Sequence, residues 1–110
     1  MSLRQLALDA LLIARCDEKC AATDAIVWTG GEHDAAAPDR RRLAGAALPG
    51  RDARPRLVPP AQVAQRPVGT LEGRAALLHS LAHIELNAVN LALDIVWRFD
   101  DMPADFYREW

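Results

Sequence analysis

Apolar residues at the start of the chain recur every three or four positions: Leu3, Leu6, Ala7, Ala10, Ile13 and Ala14. That period predicts a helix from Ser2 to about Ala22, with Ser2 as its N-cap and Asp17, Glu18 and Lys19 at its polar end. Thr23 and Asp24 either close it or cap a short turn carrying Ile26, Val27 and Trp28, which Gly30-Gly31 then stops. The period disappears between Glu32 and Gly69, where six of the seven prolines fall: Pro38, Pro49, Pro55, Pro59, Pro60 and Pro67. Proline removes a backbone donor and pushes its predecessor toward extended geometry, so this stretch reads as an arm rather than as helix or sheet. Helical spacing returns at Gly69-Thr70-Leu71-Glu72, with Thr70 as N-cap and Glu72 at the positive end of the helix dipole. It persists to Arg98 or Phe99, nearly eight turns. Met102 precedes Pro103, which ends it, and Asp101 or Pro103 opens a further aromatic turn through Asp105, Phe106, Tyr107 and Trp110. The expected architecture is all-α. A helical element occupies residues 1–29 and an extended Pro/Arg-rich arm residues 30–69. A long helix and the beginning of another element occupy residues 70–110.

The long helix carries the candidate chemistry. On a wheel of about 100° per residue with Glu85 at zero, Leu78, Val96 and Ala92 lie within about 20° of it and Leu81, Val89 and Phe99 within about 40°. Asn87, Asp94, Arg98 and Ser80 gather on the far side, where solvent is expected. A carboxylate on an apolar stripe needs a metal, a cation or hydrogen-bond donors to offset its desolvation. Two readings of Glu85 stay open from the residues alone. It pairs with an arginine, such as Arg74 on the same face three turns earlier or one from the arm, or it ligates a metal.

Composition bounds these readings without choosing between them. At 110 residues the chain makes at most one small domain, and its net charge of −2 demands neither nucleic acid nor membrane. The apolar runs fall short of the roughly 18–20 residues that cross a bilayer. The start, with Arg4 followed by Asp9, has no leader pattern, so a cytoplasmic location is expected. Only one of the 13 basic residues is a lysine, and the arm carries Arg40, Arg41, Arg42, Arg51, Arg54, Arg56 and Arg66. Arginines contact phosphate well, but no aromatic residue interleaves these to stack on bases, and a solvated or surface-wrapping arm is the plainer reading. Cys16 and Cys20 share one helix face, where a cytosolic disulfide is not expected and two thiols do not make a zinc site. Two small helix residues of no special role suffice to explain them.

His79 and His83 stand four residues apart, a usable spacing for two ligands, but they lie about 120° and 160° from Glu85 on the wheel. The three therefore cannot converge on one ion in a straight helix. His83 reads as a surface or outer-shell residue, and His79 as a marginal one able to hydrogen-bond the arm passing over it. His33 sits in a Gly-rich turn with no companion ligand nearby in sequence.

The run from Gly69 through Thr70-Leu71-Glu72-Gly73-Arg74 to His79-Ser80-Leu81-Ala82-His83-Ile84-Glu85-Leu86 carries a family resemblance. So do Leu91-Ala92-Leu93-Asp94, Val96-Trp97-Arg98-Phe99, Met102-Pro103, Phe106-Tyr107 and Trp110, together with the arm's Pro49-Gly50-Arg51, Arg54-Pro55 and Leu57-Val58-Pro59-Pro60. These resemble the N-terminal part of the bacterial ferritin-like family labelled domain of unknown function four hundred and fifty-five. The resemblance implies a four-helix bundle with a carboxylate-bridged pair of iron or manganese ions, in which one helix offers a lone Glu and the next a Glu-x-x-His pair, repeated in the second half. Glu85 matches the lone glutamate, and His83 a motif histidine in a supporting position. No Glu-x-x-His occurs in this chain, so the bundle is expected to be incomplete here. The remaining ligands are expected from missing helices or a second chain, and little catalysis from this chain alone. The implied activity of the longer form is that of an oxidoreductase or hydroxylase. The competing expectations are a non-enzymatic helical interaction module, associating through the exposed apolar helix face, and an RNA contact through the arm's arginines.

Overall fold

The computed structural model describes residues 2–27, 35–43, 45–53, 59 and 67–110, the side chain of Arg42 excepted. Trp28, Gly30-Gly31, His33, Arg54, Arg56, Arg66 and much of the proline-rich arm lie outside the described residues. Among the described residues four α-helices follow in order: α1 (Leu3–Leu12), α2 (Cys16–Asp24), α3 (Leu71–Arg98) and α4 (Ala104–Glu109), with a 3-10 turn at Arg41–Leu43. No strand occurs among the described residues, and the all-α expectation holds.

Both side-chain N-caps fall where local chemistry requires them. The Ser2 hydroxyl accepts from the Gln5 N–H at 3.1 Å, and the Thr70 hydroxyl accepts from the Gly73 N–H at 2.9 Å, each satisfying a donor left orphaned by the first helical turn. Helix α3 spans 28 residues, about 42 Å at 1.5 Å per residue, and ends at Phe99 as the spacing predicts. Helix α4 follows the proline that stops α3.

The expected single helix from Ser2 to Ala22 is instead two. Ile13 turns to an extended ψ of 129°, and Arg15 leads into α2 as its N-cap. The cause lies far away in sequence. The arm crosses this junction at Gly50, whose N–H donates to the Leu11 carbonyl at 2.9 Å. A Cβ at position 50 would collide with the Leu12 and Ile13 carbonyls, so only glycine lets the backbone come this close.

The core joins the apolar stripe of α1 (Leu3, Ala7, Leu8, Ala10, Leu11) to Leu93, Val96 and Trp97 of α3 and Tyr107 of α4. This places α1 against the C-terminal third of α3, on the flank carrying Asn90, Leu93 and Trp97, roughly 80–140° round the wheel from Glu85. The stripe centred on Glu85 is therefore buried only toward its C-terminal end, at Val96. Leu78 is 67% exposed and Leu81 49%. No described element covers them, because α1 occupies the neighbouring arc and reaches only the helix's last turns.

Candidate functional site

Two basic side chains to which the sequence analysis gives no anchoring role, Arg4 and Lys19, hold the C-terminal part of α3. Arg4 is 1% exposed. Its Nε donates to the Val96 carbonyl at 3.1 Å, and Nη2 donates to the Trp97 carbonyl at 2.7 Å and to Asp100 Oδ1 at 2.6 Å. Nη1 donates to the Ala35 carbonyl at 3.3 Å. A buried guanidinium thus pairs with carbonyls that the helix end leaves unmatched, at the negative pole of its dipole. Its face lies 5.2 Å from the Tyr107 ring centroid. Asp100 also receives Arg40, and the two guanidiniums, Arg4 foremost, hold its carboxyl below the ordinary range. Tyr107 closes the knot by donating its hydroxyl to the Phe99 carbonyl at 2.6 Å and accepting from the Met102 N–H at 3.1 Å.

Lys19, expected at the polar end of the first helix, is buried. Its ammonium donates to the Gly50 carbonyl at 2.7 Å and to Asn90 Oδ1 at 2.6 Å, tying α2, the arm and α3 together. Burial pushes its pKa down. Asn90 Nδ2 is buried without a partner. The signal for both residues was positional: Arg4 belongs to the Leu8–Leu11 face of α1, and Asn90 neighbours Trp97 on the wheel.

The sequence-predicted site residues lie elsewhere. Glu85 lines a groove of about 460 Å³ together with Leu3, Val89, Leu93, Val96 and Tyr107, among others. It is the one carboxylate there. It is exposed rather than buried, and no ion pair joins it to a described residue. Arg74, the proposed partner on the same face, is exposed as well. His83 is half-buried and His79 exposed, and neither contributes to this groove. Among the described residues no three His, Cys, Asp or Glu side chains gather as a metal-binding group. A ferritin-like pair of ions takes six donors from four helices. The described residues bring no such set together and do not by themselves fit the pair.

The arm's arginines are partly committed. Arg41 is bound to Asp39 at 2.6 Å and draws that carboxyl down to about 2, while Arg40 reaches Asp100 at 3.0 Å. Arg51 donates to Asn87 on α3 at 3.1 Å. These pairings reduce the free charge that the arm offers to phosphate. No helix among the described residues is long and apolar enough to cross a membrane.

Comparison with known proteins gives a family without an activity. An uncharacterised protein of Haemophilus influenzae is 56% identical over 46 residues, which amount to 42% of this chain and 16% of that relative. The chain thus spans a small part of the relative's length. No solved structure matches. The model of the family described as "Protein of unknown function (DUF455)" matches residues 12–110, a span that takes in α2, the arm, the whole of α3 with Glu85, and α4. The chain belongs to the DUF455 family.

Proposed function

We propose that this chain is the front portion of a longer ferritin-like di-metal carboxylate protein, with Glu85 as one ligand of an iron or manganese pair. In this reading residues 1–29 form a docking element, 30–69 a wrapping arm and 70–110 the first bundle helix with the start of the next element. The observation that carries it is the placement of Glu85 as the one acid side chain on a mostly apolar groove, which Arg108 of α4 also lines while pairing with Asp105 rather than with Glu85. Such a carboxylate is costly once covered unless a cation meets it, and a bundle would cover it. The small share of the Haemophilus relative that the chain spans is consistent with further helices in the longer protein. His83, on the opposite arc, would support the site only from outside the ligand set. The metal pair would supply oxygen or redox chemistry to the longer protein, in keeping with an oxidoreductase or hydroxylase. This chain's own contribution is one anionic donor and an apolar wall that excludes water.

Metal analysis tests the reading. The purified chain is expected to hold little stoichiometric iron or manganese, and a longer family member that keeps this glutamate about two ions per chain. If Glu→Gln at that position in the longer protein left its metal content unchanged, the ligand assignment would fail.

A second reading, a helical interaction module without catalysis, is favoured by a different observation. Leu71, Leu77, Leu78, Leu81, Ile84 and Leu91 are each between 45% and 78% exposed on α3. Such a patch predicts association with other helices.

A further inference from the structure

The pair of cysteines on α2 stands apart from the Glu85 groove. Cys16 and Cys20 are both free and exposed. Residues four apart on a helix have Cβ atoms about 5–6 Å apart on one face. The helical rotamers lean Cys20 back toward Cys16. Two sulfurs on opposite sides of one ion stand about 4.6 Å apart, twice a metal–thiolate bond of about 2.3 Å, and this spacing can supply that separation.

Cys16 is the first residue of α2, at the positive end of the helix dipole. Lys19, which stands between the two cysteines in sequence, turns inward instead, its ammonium held by the Gly50 carbonyl and Asn90. The acids beside Cys16 are largely committed. Asp17 and Glu18 pair with Arg15, and Asp52 accepts from the Cys16 backbone N–H at 3.2 Å. Among the described residues no third ligand joins the two thiols. Zinc, which seeks four ligands, is poorly served by such a pair, whereas a soft monovalent ion that accepts two opposed thiolates is well served.

We propose that Cys16 and Cys20 form a two-thiolate site for one soft monovalent ion of the Cu(I) class. On binding, each sulfur loses its proton to solvent and bonds the ion, which keeps its oxidation state. The bridged ion staples the first turn of α2, the same turn that the Lys19 tether holds to α3.

Anaerobic titration of the reduced chain with Cu(I), against a chromophoric Cu(I) chelator, tests this. One ion per chain is expected, with sulfur-to-copper absorption in the ultraviolet and little displacement by zinc. Cys16→Ser and Cys20→Ser should each lower the affinity at least about a hundredfold, since either change removes the high local concentration of the second thiolate. Both side chains are exposed, so far-ultraviolet circular dichroism should report unchanged helix in these variants. Alkylation of the two thiols in the unsubstituted chain should abolish binding as well. Single-serine variants that each retained half of the bound copper would mean independent thiols and overturn the proposal, as would failure of the reduced chain to compete with the chelator. The metal content of the Glu85 groove does not enter either readout.

Discussion

The two halves of α3 belong to one continuous helix yet live in different solvents. From Asn90 to Arg98 the helix is wrapped: Leu93, Val96 and Trp97 are at most 5% exposed, Arg4 binds its terminal carbonyls and Tyr107 packs beneath. From Leu71 to Ala88 the side chains are nearly as apolar, but Leu71 and Leu78 stand 78% and 67% exposed. Composition does not separate the halves, since both carry leucine and alanine at helical spacing. Neighbours do. Helix α1 is ten residues, about 15 Å, and covers little more than a third of α3's length. Burial is thus set by the reach of the partner element, and an apolar stripe of itself says only where a partner would fit.

The sharpest way to break this contrast is to remove the anchor of the wrapped half. Arg4→Ala strips hydrogen bonds from the Val96 and Trp97 carbonyls and leaves Asp100 with Arg40 alone, so it should cost about 3–5 kcal/mol, read as a lowered denaturant midpoint. Leu8→Ala, at a fully buried position on α1, should cost about 2–4 kcal/mol. Leu78→Ala, the same chemical change on the bare half, should cost less than about 0.5 kcal/mol. Equal losses at Leu8 and Leu78 would mean that the two halves are equally covered in solution.

Acid titration sharpens the same comparison. Asp100 has a folded pKa below its ordinary value of about 3.9, chiefly through the Arg4 hydrogen bond and also through Arg40. Its contribution is therefore complete above that ordinary value and is lost as pH falls through the lower folded one. Chemical denaturation between pH 5 and pH 2 should show this acid limb, flattened in Asp100→Asn. Lys19 bears on the other limb. Its folded pKa is depressed by burial, so the folded state sheds that proton first and stability should rise with pH between the folded value and about 10.4. Lys19→Met should remove the rise.

Local signals were legible in the sequence and non-local ones were not. Ser2, Thr70 and the Met102-Pro103 step act on their own helix ends, and each boundary falls where they put it. The break after Leu12 was invisible because Gly50, thirty-eight positions away, creates it by crossing there. Lys19 is expected at a polar helix end and Arg4 carries no assigned role, since a sequence does not reveal which carbonyls a long side chain will find. The wheel located Glu85 correctly on an apolar arc, and the groove forms beside it. It does not show how far along α3 the cover of α1 extends, so the same arc is buried at Val96 and bare at Leu78. The sequence leaves the arm as solvated or surface-wrapping; among its described arginines Arg41 is 90% exposed beside Asp39, whereas Arg40 and Arg51 reach Asp100 and Asn87.

The smallest expected effect decides what Glu85 is for. A glutamate held in a structural ion pair would destabilise the chain on Glu85→Gln, because its cationic partner would lose its counter-charge. An exposed glutamate with no ion pair to a described residue should change stability by less than about 0.5 kcal/mol in either direction, as surface substitutions do. Equilibrium denaturation of the two forms at one pH measures it. A loss above about 1 kcal/mol would restore the ion-pair reading and remove the reason to look for a metal. A null result leaves a carboxylate that contributes nothing to the fold of this chain, on the half of α3 that other helices would have to cover. Ile84→Lys on that same bare half is the companion measurement. It should leave stability unchanged while reducing association in sedimentation, because a charge there would be solvated in the free chain and desolvated only under a partner.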